Sequence, residues 1–156
     1  ATPPPVGVLI VDDQAPFRRA ARAVVTATPG FEVVGEAESG EEAIEVCKQC
    51  NPQVVIMDLM MPGISGFDVL KIVKENYSLI ECIMISAINE VETAVQAMKH
   101  GAYHYITKNF DYDELRRRLE AQAQQDALAV KVDVGVELGR GLGDRRVVAA
   151  DAALGP

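Results

Sequence analysis

The chain has 156 residues, 49% of them apolar, which is enough for one domain with a buried core and a short remainder. Its net charge of -8, without a dense Lys/Arg stretch, argues against direct nucleic-acid binding by this chain. Three cysteines argue against a disulfide framework, and no apolar run approaches the roughly 20 residues of a membrane span, so the expectation is a cytoplasmic protein without membrane contact.

Residues 1–5 are Pro-rich and lack the charged and apolar regions of a signal peptide; they read as a disordered lead-in. Val6 to Val11 has the continuous apolar pattern of a buried strand. Phe17, Ala20, Ala21, Val24 and Val25 follow at helical spacing, and Pro29-Gly30 stops that helix. Phe31 to Ala37 is the second strand. Ser39-Gly-Glu-Glu42 has the form of a capping box and opens a helix to about Gln49. Val54 to Met57 is a third apolar strand, ending at Asp58. A turn with Pro62 and Gly63 leads to a helix carrying Phe67, Leu70 and Val73. Cys82 to Ile85 is the fourth strand, ending at Ser86, and Val91, Ala94, Val95 and Met98 form one face of the next helix. Tyr103 to Thr107 is the fifth strand. Asp111 and Glu114 then make a cap-like pair before a helix through about Gln125.

Five strands alternating with five helices imply right-handed crossovers and a doubly wound α/β fold, its parallel sheet covered on both faces. In such sheets, sites form at the carboxyl ends of the strands. Asp12 and Asp13 end the first strand, Asp58 the third, Ser86 the fourth and Lys108 the fifth. One crevice therefore gathers three carboxylates, a hydroxyl and an ammonium. Close carboxylates repel one another, and a hard divalent cation is the usual remedy. Few carboxylates with room for water favour Mg²⁺ over Ca²⁺. An aspartate can also be a nucleophile towards phosphorus, with the cation and a lysine neutralising charge on the transferring phosphoryl oxygens.

Each residue also has a structural reading by itself. Asp12-Asp13 could be a turn and helix cap, Asp58 a turn residue, Ser86 a strand end and Lys108 a solvated charge. Their joint occurrence at successive carboxyl ends favours the chemical reading.

Residues 6–125 resemble the receiver domain of bacterial two-component response regulators. The resemblance rests on Leu9-Ile-Val-Asp-Asp13, Val55-Ile-Met-Asp-Leu-Met-Met-Pro-Gly63, Ile83-Met-Ile-Ser-Ala87 and Gly101-Ala-Tyr-His-Tyr-Ile-Thr-Lys108. The run from Val91 to Tyr103 is most similar to receivers that govern enhancer-dependent transcription activators. The resemblance implies a flavodoxin-like (βα)5 three-layer sandwich with strand order 2-1-3-4-5. It implies Asp58 as phosphoacceptor from a histidine kinase. Asp13, Asp58 and the backbone carbonyl of Met60 would ligate Mg²⁺ directly, and Asp12 largely through water. Ser86 and Lys108 would contact the phosphoryl group. Tyr105 matches the aromatic switch, acting on a face built from the fourth helix, fifth strand and fifth helix. A second copy of the chain is the favoured partner of that face, and transcription regulation the expected output.

One departure stands out. The family usually has a cis proline after the lysine, where this chain has Asn109. A cis bond before a non-proline residue costs roughly 2.5–4 kcal/mol, so a trans Lys108-Asn109 peptide is expected. The positions two beyond Asp58 and two beyond Ser86 hold Met60 and Ile88, both bulky and apolar. In a receiver fold they would border the path of a hydrolytic water, which predicts a long-lived aspartyl-phosphate.

Other features carry less. Cys47-Lys-Gln-Cys50 lacks the further ligands a zinc site needs and reads as a helix with core-facing Cys47 and exposed Cys50. Cys82 reads as core. His100 lies near a helix end, His104 is expected to face solvent, and Arg116 to Arg118 form a solvated face. Residues 126–156 are too few for a winged-helix or ATPase output domain. Val130, Val132, Val134, Val136 and Leu138 alternate as in a half-exposed strand, yet the tail reads foremost as disordered. Two other functions compete with the switch: an aspartate-nucleophile phosphatase, which commonly needs an acid where Met60 stands, and an interaction module that does not use phosphorylation.

Overall fold

The structure, a computed structural model, describes residues 3–108 and 112–124. Val6–Val11 (β1), Phe31–Ala37 (β2), Val54–Asp58 (β3), Glu81–Ser86 (β4) and His104–Thr107 (β5) form a parallel sheet in the order β2-β1-β3-β4-β5. The connecting helices are Ala15–Ala27 (α1), Gly40–Cys50 (α2), Gly66–Asn76 (α3) and Val91–Lys99 (α4). A fifth helix, α5, occupies residues 112–124. This is the doubly wound fold expected from the alternation of apolar runs and amphipathic segments, in the flavodoxin-like (βα)5 form that the family resemblance implied. The described residues fall into two compact units, one through Arg116 and one from Arg117; of the second, only a helical stretch with Leu119 buried is described. No helix among the described residues is long and apolar enough to cross a membrane.

The sheet explains the uninterrupted apolar runs. Alternate side chains of a strand point to opposite faces, and a parallel sheet covered on both faces must be apolar on both. Leu9, Val11, Val55, Met57, Cys82 and Met84 share one core with Ala43 and Cys47 of α2, Val69, Leu70 and Val73 of α3, and Ala97 of α4. Val8, Ile10, Ile56, Ile83 and Ile85 alternate with them and are equally buried. Helix α1 packs against β1 and β2 through Ala21, Val24 and Val25.

Local signals set the helix starts. Ser39 Oγ accepts the Glu42 amide at 3.1 Å, and Ser65 Oγ accepts the Asp68 amide at 3.2 Å. The expected capping box is half formed. Glu42 Oε1 accepts from the amide of Glu38, at 2.6 Å, one residue before the cap. Helix α1 ends at Ala27 with Gly30 at φ +89°, as Pro29-Gly30 predicted. Helix α4 presents its expected apolar face outward: Val91 is 80% exposed, Val95 42% and Met98 46%, while the buried residue is the small Ala97. The stretches holding Asp111 as a cap, the Lys108–Asn109 peptide, Gln125 and the tail 126–156 lie outside the described residues.

Candidate functional site

Strand order decides where the site forms. From β1 the chain runs outward to β2, then returns to β3 on the other side and continues to β4 and β5. The carboxyl ends of β1 and β3 therefore flank the point where direction reverses, where open α/β sheets leave a crevice. Val11 is in register with Met57, which sets Asp12 beside Asp58. Asp58 is in register with Ile85, and Ser86 with Thr107, so Ser86 and Lys108 follow at the next two strand ends.

Carboxylate oxygens of Asp12, Asp13 and Asp58 lie within 4.8 Å of one another. Asp12 and Asp58 are buried, and Asp13 is exposed. The Lys108 ammonium stands 3.0 Å from Asp12 Oδ2 and 3.2 Å from Asp58 Oδ2. Its third oxygen partner is Gln14 Oε1, to which it donates at 3.1 Å, and it lies 4.8 Å from the centroid of the Phe17 ring. Asp58 Oδ1 accepts the Met60 amide at 3.2 Å. Asp12 Oδ1 accepts the Gln14 amide at 2.8 Å, and Arg18 holds the Asp12 carbonyl at 2.7 Å. Ser86 Oγ accepts the Ile88 amide at 3.0 Å, and its carbonyl accepts the Lys108 amide at 2.7 Å. Tyr105, half-buried, donates its hydroxyl to the Ile88 carbonyl.

The electrostatics follow from this crowding. Burial, then the Asp12 carboxylate, push the Asp58 carboxyl above its usual range, although the Met60 amide and Lys108 pull it down. Burial alone would lower the Lys108 ammonium. Asp12 and then Asp58 outweigh it and hold the ammonium above its ordinary value.

The loop after Asp58 is shaped by glycines. Gly63 has φ +83°, a conformation that L side chains rarely adopt. Gly66 donates its amide to the Leu59 carbonyl at 2.9 Å, and a Cβ there would sit 2.6 Å from the Asp58 carbonyl oxygen. The start of α3 is thus pressed against the backbone that carries Asp58.

The donor set fits a hard divalent cation. Three carboxylates converge, and Asp12 Oδ2 is buried without a well-aligned hydrogen bond, with Lys108 as its counter-charge. Excess negative charge and an under-used buried oxygen are both relieved by a small cation. The crevice thus brings together Asp12, Asp13, Asp58 and Lys108, with Met60 on its loop and Ser86 and Tyr105 joined through Ile88. Sequence reasoning missed Gln14 and Phe17. The available signal was a glutamine, a poor N-cap, at the first position before α1.

The family profile described as "Response regulator receiver domain" matches residues 8–120. The chain belongs to this family. Its receiver domain is similar to the protein-glutamate methylesterase/protein-glutamine glutaminase of Pyrococcus abyssi (strain GE5 / Orsay), 38% identical over 105 residues, covering 66% of this chain and 28% of that protein. It is similar to the nitrate/nitrite response regulator protein NarL of Escherichia coli (strain K12), 31% identical over 119 residues, covering 76% of this chain and 55% of NarL. Among solved structures it resembles the CheX-CheY-BeF3-Mg+2 complex from Borrelia burgdorferi, with a TM-score of 0.71 at 29% identity, covering 76% of this chain and 89% of that one. The chain spans from 28% to 55% of the length of these two curated relatives. It holds the receiver domain of a two-component response regulator.

Proposed function

We propose that this receiver domain, residues 6–125, is a cytoplasmic switch that accepts a phosphoryl group from a histidine kinase onto Asp58 with Mg²⁺. The observation that carries the reading is Lys108 held between two buried carboxylates, Asp12 and Asp58, with Asp13 completing an acidic triad. A carboxylate oxygen of Asp58 attacks phosphorus, the bond from phosphorus to the donor's imidazole nitrogen breaks, and that nitrogen leaves with the electron pair. Asp13, Asp58 and the Met60 carbonyl would hold the ion directly, and Asp12 largely through water. Bound there, Mg²⁺ would supply charge that offsets the carboxylates and the transferring phosphoryl oxygens. Lys108 serves the same phosphoryl oxygens from the β5 side. The similar CheY structure, solved with BeF3 and Mg²⁺, supports the same chemistry here.

Output in this reading runs through Ser86 and Tyr105. A new bond from Ser86 to the phosphoryl group biases one of two packings of the β4–α4 loop. The exposed Val91, Val95 and Met98 on α4 are the surface this loop governs, with a second copy as favoured partner. Transcription control is the output favoured by similarity to the transcriptional regulatory protein DegU of Brevibacillus brevis, 30% identical over 122 residues. The domain turns over no separate substrate of its own.

Incubation with Mg²⁺ and a small phosphodonor, followed by intact mass, tests the reading. One added phosphoryl group on the parent and none on Asp58→Asn is the expected result. Rapid turnover of foreign phosphoesters would favour a hydrolase, and no adduct a module that does not use phosphorylation.

A further inference from the structure

Lys108 follows the short strand β5, and the residue after it is Asn109 where the family usually has proline. A lysine on a flexible four-carbon stem needs something to hold its head in place. An ammonium has three donors, and among the described residues three oxygens lie within 3.2 Å of this one: Asp12 Oδ2, Asp58 Oδ2 and Gln14 Oε1. The Phe17 ring closes a further side at 4.8 Å, within range of a cation–π attraction. Two of these four partners are the charged site itself. The other two, Gln14 and Phe17, lie at the start of α1, and Gln14 is 94 residues from Lys108 in sequence.

Among the described residues, the side chain of Gln14 has no capping role at this helix start. It is the N-cap residue of α1 but makes no capping bond, and Pro16 in the first turn needs no partner for its missing amide. The backbone amide of Gln14 donates to Asp12 Oδ1 at 2.8 Å, which fixes the residue against the acidic pair and aims its amide oxygen at Lys108.

We infer that Gln14 and Phe17 are positioning residues that hold the Lys108 ammonium over Asp58 from the α1 side. The inference rests on the proposed phosphoryl transfer to Asp58. When Asp58 is phosphorylated, its carboxylate charge moves outward onto the phosphoryl oxygens, and Lys108 must follow that charge. Gln14 offers a neutral acceptor that is unchanged by the reaction, so the ammonium keeps one fixed partner while it exchanges another. Phe17 limits its travel from the side.

The test is a pair of double-substitution cycles, Gln14→Met or Phe17→Leu, each combined with Lys108→Met. Gln14→Met keeps side-chain length but removes the acceptor, Gln14→Glu restores an acceptor, and Phe17→Tyr restores a ring face. Two readouts are taken: the urea unfolding midpoint, and the rate of phosphorylation by a small phosphodonor at saturating Mg²⁺. Gln14→Met should slow phosphorylation several-fold, Phe17→Leu two- to three-fold, with Gln14→Glu and Phe17→Tyr within about two-fold of the parent. Both losses should vanish when Lys108 is already methionine, and the midpoints should be non-additive. Losses of equal size in the Lys108→Met background would overturn the inference, as would additive midpoints. A parent that takes no phosphoryl group would defeat the receiver chemistry. The midpoints would then decide positioning alone, non-additivity upholding it and additivity removing it.

Discussion

The Tyr105 hydroxyl donates to the carbonyl of Ile88 at 2.6 Å, and the amide of that same Ile88 donates to Ser86 Oγ at 3.0 Å. One loop residue therefore links the proposed phosphoryl contact to the aromatic side chain of β5. If Ser86 turns its hydroxyl towards a phosphoryl group, the Ile88 amide loses its acceptor and the carbonyl held by Tyr105 must move with it. Ser86→Ala should accept the phosphoryl group yet fail to change amide exchange in the β4–α4 loop and α4. Full phosphorylation-dependent exchange changes in the alanine variant would refute this route. Tyr105→Phe should lower stability by about 1 kcal/mol in urea, the worth of one hydrogen bond.

Mg²⁺ should stabilise the fold if, as proposed, it binds the carboxylate crevice and not the unfolded chain. At a hundred times Kd the gain is about 2.7 kcal/mol, read as a raised thermal midpoint and reversed by a chelator. Asp13→Ala should lose most of that gain, since two carboxylates hold the ion's geometry poorly. An unchanged midpoint shift in Asp13→Ala, or an unchanged calorimetric affinity, would remove Asp13 from the ligand set.

Gly66→Ala separates local propensity from site geometry. Alanine in a helix is worth roughly 1 kcal/mol over glycine, so propensity alone predicts a gain. A Cβ at Gly66 would meet the Asp58 carbonyl oxygen at 2.6 Å and Leu59 Cα at 2.8 Å, and neither backbone atom can swing aside. The variant should instead lose about 1–3 kcal/mol, as overpacked sites do, and should phosphorylate more slowly. A more stable variant with parental rate would show that the loop yields freely.

The fold was legible because its signals are redundant. Buried parallel strands such as Val54–Asp58 are apolar on both faces, and the site residues stand at strand ends that the topology must bring together. Three features were not legible. The apolar stripe Val91, Val95, Met98 has the spacing of a core face, yet Ala97 is the buried residue of α4, because periodicity shows that a face is apolar and not what covers it. His104 was expected in solvent but is half-buried, with its ring 4.5 Å from that of Tyr103, edge-on. Gln14 carries no chemistry of its own, so its link to Lys108 needed coordinates.

The cysteines should react unequally. Burial, with a smaller push from Cys50, raises the Cys47 thiol to about 11, and burial raises Cys82 to about 12. At pH 8 the thiolate fraction of Cys47 is then roughly one in a thousand, and the thiolate is the nucleophile. Iodoacetamide at pH 8 should add one group to the native chain, at the exposed Cys50, and three after unfolding. Rapid native labelling at Cys47 would mean that α2 opens locally.

The aspartyl-phosphate should persist for minutes rather than seconds. Hydrolysis needs a water in line with phosphorus, opposite the Asp58 oxygen, and a side chain that can hold it there. Met60 follows Asp58 by two residues, with its amide on Asp58 Oδ1 and its apolar side chain 59% exposed. Ile88 follows Ser86 by two residues, and both its amide and its carbonyl are engaged, by Ser86 and Tyr105, which restrains where its side chain lies. Neither side chain has a strong donor or acceptor for a water, and in the proposed reading both would crowd its approach. Met60→Asn and Ile88→Glu each supply a polar group at those places and should speed the loss of phosphate several-fold. The measurement is decay of the phosphorylated mass after donor removal, in the parent and both variants. Loss from the parent within seconds, or decay unchanged by either substitution, would show that the rate is set elsewhere than by these two side chains.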